Sequence, residues 1–131
     1  MTIEQLKDWL KSRTDVGQGI QVGSIEGSAE KCIGIYMRET PGGQRVCLGG
    51  PAQTLTQTMR ATILVHWTRS AVQAEKKARE VWSLLYGLTD TDMAGAWVYC
   101  ADPGAGPIPV GRDQRGVFEY VVRTELIYKK E

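Results

Sequence analysis

The sequence has a single histidine and three cysteines, and so offers few of the side chains that metal sites and nucleophilic catalysis need. Cys32, Cys47 and Cys100 are far apart, and neither a CxxC pair nor a nearby histidine pattern gives them zinc-ligand spacing. His66 is not accompanied by a serine or cysteine motif that would make it a general base. We therefore expect reduced thiols in a cytosolic protein, no metal or other cofactor, and no enzymatic activity.

An excess of one charge and a long apolar run are missing as well. Sixteen basic and fifteen acidic residues give a net charge of +1, which provides no field to attract nucleic acid or an anionic membrane. No apolar run is long enough to cross a bilayer, and the first residues lack the apolar core of a signal peptide. These features predict one soluble domain, residues 1–131, with no membrane partner and no sequence-specific nucleic-acid partner.

Glycine motifs that bind phosphate are absent too. The glycine pairs at 42–43 and 49–50 and the GxG at 104–106 lack the spacing of a P-loop or a dinucleotide fingerprint. We interpret them as turn glycines. Asp90 and Asp92 lack the further oxygen ligands of a calcium loop, so we interpret them as polar residues of a connector.

The clearest pattern that is present is a strand followed directly by a helix, over residues 59–87. Apolar and polar residues first alternate, which predicts a strand with one buried face. From Ser70 the apolar spacing becomes three or four residues, which predicts an amphipathic helix of about 17 residues that ends at Gly87. Ser70 and Gln73 have capping-box spacing. The charged residues of this helix are interpreted as a solvated face: Glu75, Lys76, Lys77, Arg79 and Glu80.

Shorter patterns predict the elements before this unit. Thr2 and Gln5 have capping-box spacing ahead of a short amphipathic helix. The other predicted elements are an edge strand or extended loop at 19–25, a strand at 31–38, and a hairpin turn at 40–44 into a strand at 45–48.

The elements after the helix are also predicted from local pattern. Residues 88–94 are interpreted as a polar connector and residues 95–100 as a short strand. The proline-rich residues 101–109 are predicted to form an exposed loop outside the sheet. From Gly116 a long terminal strand alternates apolar and polar side chains.

Together these elements predict an α+β fold in a single domain. We expect a mostly antiparallel or mixed sheet of about five strands, with one long helix packed on it and a short N-terminal helix. Between the proline-rich loop and the last strand lies a charged turn, Gly111–Gly116. A turn accounts for its glycines and Asp113, but Arg112 and Arg115 are also suited to bind a partner's carboxylates.

Two stretches of the sequence resemble the siphophage tail-terminator or tail-completion proteins, a family that includes phage minor capsid proteins. One is ATILVHWTRSAVQAEKKAREVWSLLYG, the strand and helix described above. The other is PIPVGRDQRGVFEYVVRTELIYKK, in which a GRD turn leads into a long, tyrosine-bearing strand. The segment IGIYMRETPGGQRVCLGG is consistent with the same family.

The resemblance implies an α+β subunit of a homo-oligomer, a hexameric ring that caps the finished tail tube. Its other face would meet the head-completion or stopper proteins. The implied locations are the host bacterial cytoplasm during assembly and then the virion tail. We expect the loops 40–57 and 101–116 to carry the contacts, with these candidate interface residues: Gln44, Arg45, Arg112, Asp113 and Arg115.

Other functions fit the same sequence. A stopper or a tail-tube subunit is also small, mixed in secondary structure and self-assembling. A small ligand-binding domain or an enzyme would need a concave site with convergent polar groups, for which the sequence provides little.

Overall fold

The computed structural model of the protein describes residues 1–23, 30–40 and 43–131. The fold is α+β with a mixed sheet, as the sequence predicts, although the described residues form seven strands rather than about five. The helices are α1 (Ile3–Arg13) and α2 (Ala71–Leu85). The strands are β1 (Ile20–Val22), β2 (Lys31–Arg38), β3 (Thr56–Trp67), β4 (Thr89–Met93), β5 (Ala96–Asp102), β6 (Ile108–Arg112) and β7 (Phe118–Lys129), and a short 3₁₀ turn covers Pro51–Gln53.

The two longest strands, β3 and β7, form the centre of the sheet. They pair antiparallel from Thr56 opposite Lys129 to His66 opposite Glu119. The strand order is β1-β2-β3-β7-β5-β4, in which β1 and β2 are parallel and the other pairs are antiparallel.

The outer edge of β7 is shared by two strands. β5 pairs with its last part and β6 with its first part, both antiparallel. Asp102 lies opposite Glu125 and Ile108 opposite Val121. The five residues 103–107 therefore lie opposite only three residues, 122–124. Because two residues are extra on this side, the segment forms a bend instead of a paired strand. Gly104 O accepts a hydrogen bond from Trp82 Nε1 of α2 at 3.1 Å, which ties this bend to the helix.

Both helices pack on the same face of the sheet. The alternation predicted for β3 is confirmed, because its residues of one parity are buried and those of the other are mostly half-buried. Neither helix in the described residues is long and apolar enough to cross a membrane. The core of this face comprises Met59, Ala61, Ile63, Val65 and Trp67 of β3, Val122, Leu126 and Tyr128 of β7, Ala74, Val81 and Leu85 of α2, and Leu6, Trp9 and Leu10 of α1.

The helix ends form largely as predicted. Thr2 and Gln5 make a complete capping box at the start of α1. At the start of α2 only half of the predicted capping box forms: the Ser70 hydroxyl accepts a hydrogen bond from the Gln73 amide at 3.4 Å, but the Ser70 amide donates to Thr68 Oγ1 at 3.3 Å rather than to Gln73. Gly87 follows the last residues of α2 with a φ of 73°, a conformation that glycine adopts without strain.

The predicted strand at 45–48 is wrong. These residues form no strand, and Val46 and Leu48 are exposed. Just before this segment, the side chain of Gln44 bonds the edge of β3, where it accepts from Thr58 N and donates to Thr58 O, each at 2.8 Å. Residues 41 and 42 of the predicted hairpin turn lie outside the described residues. The described part of the predicted edge strand at 19–25 contains β1, and its residues 24 and 25 lie outside the described residues.

Two segments predicted as connections are strands. The connector at 88–94 contains β4, which pairs with β5 and ends at the buried Met93. The proline-rich loop ends in β6, which pairs with β7. Pro109 lacks an amide donor, but β6 is a short strand whose register shifts between Pro109 and Gly111, and prolines are tolerated at such positions.

Lys77 was also wrongly placed on the solvated face of α2. Its side chain is buried, and Nζ donates to Thr14 Oγ1 at 2.6 Å. The same ammonium lies 2.9 Å from Glu80 Oε2 and 4.7 Å from the centre of the Trp67 ring. It therefore joins α2 to the end of α1 and to β3.

Replacing Lys77 with alanine should lower the free energy of unfolding by about 2 kcal/mol, because a charged hydrogen bond and a ring contact are lost. Lys76→Ala is the matched control, since Lys76 is exposed on the same helix. Urea unfolding followed by circular dichroism measures both. Equal stability of the two variants would contradict this role of Lys77.

Candidate interface

The charged turn Gly111–Gly116, called the arginine turn below, is closed by the carboxylate of Asp113. Asp113 Oδ1 accepts from the amides of Arg115 at 2.9 Å and Val117 at 3.0 Å. The Asp113 amide donates to Val117 O at 2.9 Å, and Val117 is buried. Asp113 thus bonds within its own turn, as aspartates often do.

The second oxygen of Asp113 fixes the turn to the sheet. Oδ2 accepts a hydrogen bond from His66 Nε2 at 2.8 Å, and His66 is buried at the end of β3. This bond and the amides of Val117 and Arg115 lower the pKa of Asp113 to about 2. The carboxylate is therefore charged through the neutral range and holds the turn electrostatically as well as geometrically.

The other ring nitrogen of His66 faces β2. His66 Nδ1 lies 3.2 Å from Glu30 O and 3.7 Å from Cys32 Sγ. If Nδ1 donates to the carbonyl, the ring is doubly protonated, and if it accepts from the thiol, the ring is neutral. In either state the ring links β2, β3 and the arginine turn.

Cys32, His66 and Asp113 have the order of a nucleophile, base and orienting acid, a grouping that the sequence does not reveal. The environment of the thiol is wrong for that chemistry. Cys32 is 2% exposed, and burial and the charge of Glu119 raise its pKa. A nucleophilic thiol instead needs a lowered pKa and access to substrate. The arrangement favours a structural role.

The arginines at this end of the sheet are exposed. The Arg112 guanidinium lies 5.7 Å from the centre of the Phe118 ring, a distance at which a cation and an aromatic face attract. Arg69, from the link between β3 and α2, donates to Arg115 O at 2.9 Å. The arginine turn and Arg69 together present a basic surface whose backbone is fixed by Asp113.

The other two candidate interface residues lie at a different place. Gln44 is bonded to the backbone of Thr58, as described above. Arg45 is exposed and lines a depression of about 230 Å³ together with Arg60 and Glu125.

The two loops that the sequence analysis names for contacts, 40–57 and 101–116, lie far apart in the structure. Thr58 and His66, which anchor them, are eight positions apart on β3, or roughly 26 Å at ~3.3 Å per residue. They lie towards opposite ends of the same sheet. Any contacts made by Arg45 and by the arginine turn are therefore two distinct contacts.

Within the described ranges, no group of three His, Cys, Asp or Glu side chains is placed to hold a metal ion. Asp92, one of the two acids considered for a cation, accepts from the Gly95 amide at 2.9 Å in the turn between β4 and β5.

Comparison with known proteins adds no functional argument. No protein-family model and no curated protein matches the sequence. A solved structure that is 15% identical aligns with 98% of this chain and 89% of its own, at a TM-score of 0.43. A likeness at that level supports no inference about function.

Asp113→Asn tests the anchor of the arginine turn. Because the folded-state pKa lies below the ordinary value of 3.8, the carboxylate stabilises the fold above that value, and this contribution is lost as the pH falls through about 2. We expect the variant to unfold more easily than the parent at neutral pH by about 1–3 kcal/mol, with the difference shrinking as the pH approaches 2.

Asp90→Asn is the control, because it removes the same charge from an exposed residue whose φ of 45° asparagine tolerates. Denaturant unfolding at a series of pH values measures the three proteins. A difference between Asp113→Asn and the parent that stays constant down to pH 2 would contradict the assignment.

Proposed function

We propose that this protein is a structural subunit of a phage or prophage tail. In this role it closes into a hexameric ring on the end of the tail tube and joins the tail to the head-completion complex. The proposal starts from the resemblance of two stretches of the sequence to tail-terminator proteins. It is independent of the comparisons above.

One observation supports it best. The two stretches that carry the resemblance form the central strand pair of the fold, β3 with β7. At one end of the sheet the two stretches are also linked by the hydrogen bond of 2.8 Å between His66 and Asp113. The residues that carry the resemblance therefore form one structural unit. The charged turn of this unit is held rigidly at the end of the sheet.

A ring subunit needs two different surfaces that fit each other, since each copy contacts its neighbours in a head-to-tail manner. The sheet has dissimilar edges. At one edge β4 exposes Asp90 and Asp92, and at the other β1 is a strand of three residues. The arginine turn adds a basic surface that complements acidic side chains.

The rigidity of the arginine turn favours a contact role for its arginines. Asp113 and Val117 fix the backbone before any partner binds, so less conformational entropy is lost on association. In this proposal Asp113 and Gln44 position their loops, and Arg45, Arg112 and Arg115 meet the neighbouring subunit or the tube.

Replacing Arg112 and Arg115 together with glutamate should raise the concentration needed for ring formation at least ~tenfold, because like charges then face each other. Light scattering over a range of protein concentrations, at low and moderate salt, measures the assembly. A second assay measures the joining of purified tails to heads. Lys11→Glu with Lys76→Glu is the control, which makes the same charge change on exposed helical residues.

The outcomes separate the candidate functions. A discrete ring lost in the arginine variant but kept in the control supports the proposal. An open polymer identifies a tail-tube subunit instead. Ring formation and tail joining that persist in the arginine variant would rule out this contact.

A further inference from the structure

On the sheet face opposite the helices lies a patch in which arginines outnumber carboxylates. Register places Arg38 of β2, Arg60 of β3, Glu125 of β7 and Asp102 of β5 in one row across the strands. Arg123 lies on the same face, one row along β7. These two neighbouring rows together contain three arginines and two carboxylates. Below, the five residues are called the arginine row.

The two carboxylates are already engaged. Glu125 Oε2 accepts from Arg60 Nε at 3.0 Å. Asp102 Oδ1 accepts from the Gly104 amide at 2.9 Å in its own turn. The arginine row therefore has three guanidinium groups for two carboxylates, each of which already has one oxygen bonded.

Arg38 shows the consequence of this excess. Its Nη2 donates to Thr124 O at 3.3 Å, but among the described residues its buried Nε has no hydrogen-bond partner. Burial lowers the pKa of Arg38, and the charges of Arg123 and Arg60 lower it further, while the charge of Glu125 opposes them only in part. An added carboxylate at the open face would relieve the repulsion among these three guanidinium groups.

The surroundings of the arginine row define the shape and chemistry of the binding surface. On one side lies the depression of about 230 Å³ that Arg60 and Glu125 share with Arg45. On the other side lies an apolar row, in which Leu64 and Val121 are half-buried and Ile108 is 45% exposed. Basic and apolar rows thus lie side by side on one open face.

We propose that this face binds an extended acidic segment of a partner protein, in which carboxylates alternate with apolar side chains. The carboxylates would pair with Arg38 and Arg123, and the apolar side chains would cover Leu64 and Val121. A nucleic acid fits less well, because its phosphate backbone has no apolar groups to cover Leu64 and Val121. The inference concerns the open face and does not depend on ring formation.

A fluorescein-labelled peptide of alternating aspartate and leucine is a direct probe, with fluorescence anisotropy as the readout. Its controls are the same peptide with asparagine in place of aspartate, and a single-stranded DNA of equal charge. We expect the acidic peptide to bind best, with an affinity that falls as salt is added.

Arg38→Gln with Arg123→Gln should weaken peptide binding about tenfold or more, since each lost bidentate pair contributes strongly. Lys11→Gln with Lys76→Gln removes the same charge from exposed helical residues and should change binding less than ~twofold. Because Arg38 is partly buried, the exposed Arg123→Gln alone provides a variant that should fold normally, and it should weaken binding in the same direction.

Several results would overturn the proposal. These are no binding of the peptide up to about 1 mM, equal loss in the arginine and lysine variants, or tighter binding of the DNA. Light scattering of the protein alone provides a further check. If it forms an oligomer that Arg38→Gln with Arg123→Gln dissociates, a second copy of this chain occupies the face, and the partner named here is wrong.

Discussion

The fold depends on the antiparallel pairing of β3 with β7. Each of these strands has twelve residues, and together they supply most of the buried face on which α2 packs. β2 joins the free edge of β3, and both β5 and β6 join that of β7, so the other strands extend this pair. A hydrogen-bonded ladder of this length also fixes which side chains share a row. The candidate contact surfaces follow directly from that register.

Alternation along a single strand was enough to predict each of these two strands, but not their pairing. β3 and β7 are buried on one face and half-exposed on the other, so the period of two in their sequences is strong. The edge strands β4 and β6 carry no such signal. Thr89–Met93 has one buried residue and Ile108–Arg112 has none, and their pairing is decided by the neighbouring strand rather than by their own composition.

The candidate site was predictable only in part, for a related reason. The exposed arginines of the arginine turn could be found because a charged turn is a local feature of sequence. The partnership of His66 with Asp113 joins residues 47 positions apart, and the burial of Lys77 depends on Thr14 at the end of another helix. No local pattern reports such contacts. Likewise, a glutamine in a glycine-rich loop gave no sign that Gln44 would bond the edge of β3.

The bend at 103–107 has a consequence for how chain length relates to structure. β5 and β6 run in the same direction along one edge of β7. They therefore resemble one long strand that is interrupted by the unpaired residues 103–107. Residues added within the interruption would lengthen the bend without shifting either ladder, because each ladder is registered on β7 independently. The hydrogen bond from Trp82 to Gly104 holds the start of this unpaired segment against α2. The fold thus contains, beside its most strictly registered strand, a position where evolution or an experimenter can change the length of the chain freely.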